Sequence, residues 1–303
     1  MKVFYSELVA NPSYYSFGYS IYGLLEEGDS LSSVYSQGFL PFVGAREQPS
    51  QTFYQARGVR VLAQEFQEAH YHRYALKKAE PHTIGVIVTV YARANYPDPE
   101  ALVRFFADYF RFRFGKGSVP KERLIALLAS PLLTHVVEYR LRENIVGIVL
   151  ETRGEDFRHV WYYAYPKALE KHCMGLYLCI DFVKRASAAG KRYAYFGATY
   201  GLWMKYKTHF EPLEYWNGAE WRRDPKGKEL KQLMKGDLLR QVAFVDAWRE
   251  ERKSFLSSPY PFTSIRSELR FLALVSHATP RVMFVCVVGI ALLCLFIGLT
   301  TLR

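Results

Sequence analysis

Cysteine is scarce in this chain of 303 residues: there are four, and none precedes Cys173. Cys173 and Cys179 stand too far apart for a Cys-x-x-Cys metal pair, and Cys286 and Cys294 lie in an apolar C-terminal run. Their spacing therefore offers neither a disulfide framework nor a zinc site, which suits a reducing compartment. Acid is also in deficit, with 29 Asp and Glu against 40 Lys and Arg, a net charge of +11 and a pI near 9.4. Such an excess favours an anionic partner, either nucleic acid or an anionic membrane surface, and charge alone does not choose between them. Met1 to Ser20 has no long apolar core, so no signal peptide is expected. Glycine-rich phosphate loops are missing too: the stretch from Tyr165 to Gly175 holds a single glycine.

What is present reads as alternating strands and helices in one large or two small domains. Residues 1 to about 35 are rich in Tyr, Ser and Gly and show no clean period, so they read as irregular. Phe53 to Val61 reads as a strand pair, and the Val-rich run between His82 and Arg93 as a half-buried strand. Asp98-Pro99-Glu100 supplies an N-cap, a first-turn proline and an acid, which predicts a helix with Leu102, Phe105, Phe106, Tyr109 and Phe110 as its apolar stripe. A second helix should follow Pro120 and stop near Pro131. His135 to Leu141, Ile145 to Thr152 and Val160 to Tyr165 are strand-like runs with short polar turns, as in an antiparallel meander. Leu169, Cys173, Leu176, Ile180 and Val183 then share a helical face, Gly190 stops it, and Tyr193 to Phe196 returns to strand. Asp181, on the same helix, is expected to face solvent. His70, His72, His172 and His209 are spread too widely for a triad and read as packing or surface residues.

The C-terminal part divides into an amphipathic helix over 226–253, a linker over 254–281 and an apolar run over 282–302. Val282 to Leu302 carries no charge, and as a helix it would span roughly 31 Å, close to a bilayer core. Arg252, Lys253, Arg266, Arg270 and Arg281 outnumber the single Arg303 beyond it. The positive-inside rule then predicts a single-pass C-terminal anchor with the globular part in the cytoplasm.

The densest signal lies between Tyr193 and Trp221. Tyr193-Ala194-Tyr195-Phe196-Gly197 is followed by Met204-Lys205-Tyr206-Lys207, then by Phe210-Glu211-Pro212-Leu213-Glu214-Tyr215 and Asn217-Gly218-Ala219-Glu220-Trp221. Lys205 and Lys207 can meet phosphate as flexible point charges, and Tyr195, Tyr200, Trp203 and Tyr206 offer rings for an unpaired base. Gly197 would end the strand where a ligand approaches the backbone. This ordered set resembles the C-terminal signature of the arginyl- and leucyl-tRNA–protein transferases, which move an aminoacyl group from charged tRNA onto a protein N-terminus.

The resemblance implies an α+β fold with an N-acetyltransferase-like (GNAT-like) mixed sheet flanked by helices. The strand-strand-strand-helix-strand order after His135 agrees with it, and the two halves of the chain could be diverged copies. With the C-terminal transmembrane helix, the expected division is 1–80 as an N-terminal transferase-like region and 81–225 as the aminoacyltransferase domain. Aminoacyl-tRNA is the expected co-substrate, with no other cofactor and no metal, and a protein or peptide N-terminus is the acceptor. Tyr195 and Glu214 are candidates to accept or relay a proton. Arg57, Arg60, Gly197, Lys205, Tyr206, Lys207 and Phe210 are candidates for substrate and tRNA binding. Lys167 and Lys171, before the helix that follows Pro166, could attract an anion. Two other readings stay open: an acyl- or aminoacyltransferase acting at the membrane on a lipid or envelope amine, and a non-catalytic tRNA-binding module. The chain departs from the family in lacking its N-terminal cysteine cluster, which puts any metal-linked role in doubt.

Overall fold

The computed structural model describes residues 1–5, 21–43, 51–115, 119 and 121–237, the side chains of Phe4, Tyr5 and Trp203 excepted. Its architecture is α+β, with two sheets. The smaller is antiparallel and comprises β1 (Lys2–Tyr5), β2 (Ile21–Leu24), β3 (Phe39–Pro41) and β4 (Thr52–Gln55), in the order β1-β2-β4-β3. A short helix, α1 (Leu31–Ser36), is capped by the Ser30 side chain, which accepts from the Ser33 amide. Part of the segment expected to be irregular is thus ordered, because its tyrosines pack: Tyr22 and Tyr35 are fully buried. Gly38, at φ +77°, lies where a Cβ would meet the Trp216 ring at 2.3 Å.

The larger sheet has eight strands in the order β12-β11-β5-β10-β9-β8-β7-β6. These are β5 (Gly58–Leu62), β6 (Ile87–Ala92), β7 (His135–Leu141), β8 (Asn144–Arg153), β9 (Phe157–Ala164), β10 (Tyr193–Ala198), β11 (Leu213–Trp216) and β12 (Trp221–Arg223). The meander β7-β8-β9 forms as its turns predict. β6 is an exposed edge strand rather than a half-buried one, with Ile87 67% and Val90 45% exposed. β5, from the region before residue 80, lies inside this sheet between β10 and β11 and antiparallel to both. The two sheets do not repeat one topology, because every strand pair of the smaller is antiparallel while the larger contains a parallel pair.

Helices cover the large sheet. Asp98 caps α3 (Pro99–Phe114), its side chain accepting from the Ala101 amide at 2.8 Å, and Leu102, Phe106, Tyr109 and Phe110 bury the expected stripe. α4 (Lys121–Ala129) follows Pro120. α2 (His70–Ala79) and α5 (Met174–Ala188) pack together. α5 starts later than its apolar period suggests, because Cys173 adopts a left-handed conformation (φ 58°) and leaves Lys167–His172 as a 3-10 turn. Asp181 does not face solvent freely: it accepts from Arg185 Nε at 2.7 Å and from the Tyr139 hydroxyl. Arg185 also reaches Glu151 at 2.7 Å. Glu151 is fully buried and is held by Arg153 as well, at 2.8 Å. A buried carboxylate persists only when so paired, and here it ties α5 to the sheet.

A last helical segment, 228–237, starts where the buried Asp224 carboxylate accepts from the amides of Glu229 and Leu230. Leu230 and Met234 dock in the core; the rest of the expected amphipathic helix and the linker lie outside the described residues. The membrane expectation is corrected. Among the described residues no helix is long and apolar enough to cross a membrane, and the run 282–302 lies outside them. The single-pass anchor, its cytoplasmic orientation and the membrane partner are withdrawn.

Candidate functional site

β9 and β10 are the parallel pair, joined through α5, and they part early. Their register runs Tyr193 with Phe157, Ala194 with Arg158 and Tyr195 with His159, and ends there. Just beyond, β10 bulges against β5 between Tyr195 and Gly197. Gly197 has φ +74°, which a side chain would strain, and a Cβ there would stand 3.4 Å from His159 Nε2. The divergence opens a cleft with a free volume of about 120 Å³. Its walls include Tyr54, Tyr109, Phe110, Trp161, Tyr163 and Tyr206, and its cations are Arg113, Arg123 and Lys207. No Asp or Glu lines it among the described residues.

Lys207 sits at the parting of the strands, 5% exposed. Its Nζ donates to the carbonyls of Phe196 at 2.8 Å and Ala198 at 2.6 Å, so it stands where a neighbouring strand would otherwise pair. Burial, with no carboxylate in contact among the described residues, pushes its pKa down to about 7. His159 is equally enclosed. Burial, reinforced by the charge of Lys207, lowers its pKa to about 3, so the ring is neutral at ordinary pH. Its Nδ1 lies 2.9 Å from the Tyr35 hydroxyl. The Thr152 hydroxyl donates to Leu132 O at 2.7 Å. The buried His159 Nε2 has no hydrogen-bond partner among the described residues.

The residues singled out in the sequence separate into three places. Gly197, Tyr206 and Lys207 line the cleft. Lys205 is exposed on the 3-10 helix Leu202–His209 that carries Tyr206 and Lys207. Arg60, Tyr195 and Glu214 form a separate buried cluster: Arg60 Nε donates to Glu214 at 2.7 Å and Nη1 to the Tyr195 hydroxyl at 3.1 Å. The Arg60 guanidinium also lies over the rings of Tyr193 at 3.8 Å and Trp221 at 4.3 Å. Arg57 does not join Arg60 in one pocket. It precedes β5, pairs with Asp237 at 2.5 Å and donates from Nε to Thr199 O at 2.9 Å. Phe210 is fully buried and stacks on Phe66 with centroids 5.8 Å apart, a core contact. Of the expected stacking rings, Tyr206 lines the cleft, Tyr195 lies in the Arg60 cluster and Tyr200 packs under Arg57 at 4.7 Å. His159, Tyr109, Arg113 and Tyr163 were not anticipated. The alternation Phe157, His159 along β9 was the available signal for His159, since it places both side chains on one face.

The start of α5 is occupied by rings. A Cβ on Gly175 would stand 2.9 Å from the Tyr165 ring and 3.3 Å from Tyr163, so the glycine admits tyrosine packing against the first turn. Lys167 and Lys171 are exposed on the preceding 3-10 turn.

Residues 101–217 match the family described as "Arginine-tRNA-protein transferase, C terminus". The stretch holds the parallel strand pair, α5 and the Lys207 helix. Curated relatives include the aspartate/glutamate leucyltransferase of Rhizobium johnstonii, 27% identical over 186 residues, covering 55% of this chain and 69% of that protein. The enzyme of the same name from Chromohalobacter salexigens is 28% identical over 132 residues, covering 39% and 51%. Among solved structures, the C-terminal domain of a putative lysylphosphatidylglycerol synthetase from Agrobacterium fabrum aligns with a TM-score of 0.34 and 13% identity, over 48% of this chain and 46% of that one. FemX aligns with a TM-score of 0.35 and 10% identity, over 56% and 59%. The chain spans about half the length of these solved structures, and TM-scores at that level support no argument about function.

Proposed function

We propose that this protein is an aminoacyltransferase that moves leucine or arginine from its charged tRNA to the α-amine of an acceptor protein. The relatives named aspartate/glutamate leucyltransferase favour an acceptor beginning with Asp or Glu. The observation that carries the reading is the cleft at the parting of β9 and β10: walled by rings, bearing three cations and lined by no carboxylate among the described residues. That chemistry suits a flat base attached to phosphate, as at the 3′ end of a tRNA, because bases stack on rings and phosphates meet cations. In this reading Tyr206, Tyr163 and Tyr109 supply stacking faces, Arg113, Arg123 and the exposed Lys205 supply charge, and Gly197 lets the ester approach the backbone. Among the described residues, the mixed sheet with its one parallel β9-α5-β10 crossover supports a GNAT-like core.

The ester of an aminoacyl-tRNA is already activated, and an α-amine with a pKa near 8 is partly neutral at physiological pH. Positioning amine and carbonyl in one cleft is then a large part of the rate. The test is transfer of labelled leucine or arginine from charged tRNA to peptides beginning with Asp, Glu, Lys or Arg. The expected outcome is transfer to the acidic N-termini, with tRNA binding that weakens steeply as salt rises. Salt-sensitive binding without turnover for any charged tRNA would leave a binding module instead.

A further inference from the structure

Lys207 has been counted so far among the cations that meet tRNA, and its surroundings argue for different chemistry. A phosphate contact needs a charged, flexible and accessible head group, as Lys205 provides. The Lys207 amine is instead buried and fixed by two carbonyls, at 2.8 and 2.6 Å. A neutral amine has two hydrogens and one lone pair. With both hydrogens committed to Phe196 O and Ala198 O, the lone pair is left on the side away from β10, and Lys207 lines the cleft. The ammonium form would differ only by a third hydrogen at that same position.

We propose that Lys207 is the proton shuttle of the transfer reaction, a step that rests on the aminoacyltransferase reading above. The acceptor α-amine attacks the ester carbonyl carbon, and a C–N bond forms. The proton shed by the attacking nitrogen passes to the Lys207 lone pair. As the C–O bond to the terminal ribose breaks, the Lys207 ammonium returns that proton to the departing ribose oxygen. The amide product and the free tRNA hydroxyl then hold every atom, and Lys207 is neutral again.

The groups around Lys207 support a lysine that changes charge near neutrality. From β9 come His159, held neutral, and the Tyr163 hydroxyl, which bonds Tyr206 at 3.2 Å. From α5 comes Cys179, whose thiol burial pushes up to about 12. Arg113 of α3 and Arg123 of α4 line the same cleft. None of these is an anion at neutral pH, so nothing among the described residues locks the ammonium in its charged state. Its pKa of about 7 matches the operating pH of a general base.

The experiment measures transfer from leucyl-tRNA to an Asp-initiated peptide by the full chain, comparing wild type, Lys207→Arg and Lys207→Met across pH 5.5 to 9. Arginine keeps a cation and donors for the two carbonyls but does not deprotonate. Both variants are expected to lose about 100-fold or more in kcat with tRNA affinity nearly unchanged, the range typical for removal of a general acid–base group. The wild-type activity limb near pH 7 should vanish in both, leaving the limb of the acceptor amine near 8. A Lys207→Arg enzyme within a few-fold of wild type would overturn the shuttle and leave a charge clamp. Should the variants fail to fold, the wild type decides by itself. Its limb near 7 should stay in place when the acceptor is exchanged for one with a different α-amine pKa, and a limb that moves with the acceptor would overturn the proposal. No transfer by wild type from any charged tRNA removes the functional reading and this step together; transfer by wild type with an active arginine variant removes this step alone.

Discussion

Arg60 on β5 and Lys207 on the 3-10 helix after β10 are both buried cations, and they are held in opposite ways. Arg60 has a carboxylate on Nε, a phenol on Nη1 and aromatic rings over its plane. Its charge is neutralised, and its cluster is closed. Lys207 has two carbonyls and, among the described residues, no carboxylate, and it faces a cleft. A cation with all its partners in place is a fastening; one whose charge burial leaves uncompensated is available for chemistry. Arg60, Tyr195 and Glu214 therefore read as the frame that holds β5, β10 and β11 together, and Lys207 as the reactive group beside it.

The largest effect expected from breaking this contrast is on stability. Arg60→Ala leaves Glu214 and the Tyr195 hydroxyl unpaired in a largely buried site, and removing one partner of such a pair costs about 3–5 kcal/mol. Thermal or urea denaturation measures it. Tyr195→Phe, which removes one hydrogen bond, should cost only about 1 kcal/mol and keep transfer activity. A 100-fold loss of activity in a well-folded Tyr195→Phe protein would move the chemistry into the Arg60 cluster.

A second effect comes from pH. Lys207 has a folded pKa of about 7, below its ordinary value of 10.5. Between those values the unfolded chain binds more protons than the folded one, so this group makes stability rise with pH. The slope approaches about 1.4 kcal/mol per pH unit, and Lys207→Met should abolish it in denaturation curves taken from pH 7 to 10. For His159 the same sign applies between about 3 and 6.5: its folded form resists protonation, so stability falls as the solution is acidified through 6.5. His159→Gln should flatten that part of the curve. If neither slope changes, the two groups are more hydrated than their packing shows.

Smaller effects sharpen the contrast at its edges. Gly197→Ala should cost about 1–2 kcal/mol, because φ +74° disfavours a side chain and the new methyl would press toward His159. The same variant should lower transfer more than its stability loss explains, if the ester passes over that backbone. Lys205→Ala should weaken tRNA binding a few-fold and reduce the salt slope by roughly 1, with kcat unchanged, as befits an exposed phosphate contact. A lost kcat with an unaltered slope would exchange the roles of Lys205 and Lys207.

Where local chemistry decides an element, the residues announced it. Asp98 with Pro99 started α3 where it begins, and alternation in His135 to Tyr165 produced the meander. Gly197, expected to end its strand, instead lies within β10 beside a bulge, and the motif from Tyr193 to Trp221 includes residues that line the cleft. The partners of its members were not legible. Tyr195 and Phe210 are ring residues like Tyr206, yet one is fastened to Arg60, one is stacked in the core and one lines the cleft. Lys205 and Lys207 differ in the sequence only by position. In the fold, one is in solvent and the other replaces a missing strand.

By itself, then, the sequence determined the succession of strands and helices, the excess of positive charge and the family match of residues 101–217, because propensity, capping and motif order are properties of neighbours along the chain. Tertiary structure alone decided that β5 enters the larger sheet, that β9 and β10 part at His159, and that Lys207 is buried there with no carboxylate among the described residues beside it. Those outcomes depend on groups far apart in the chain coming together, and burial, which sets whether a charge is neutralised or reactive, exists only once they have.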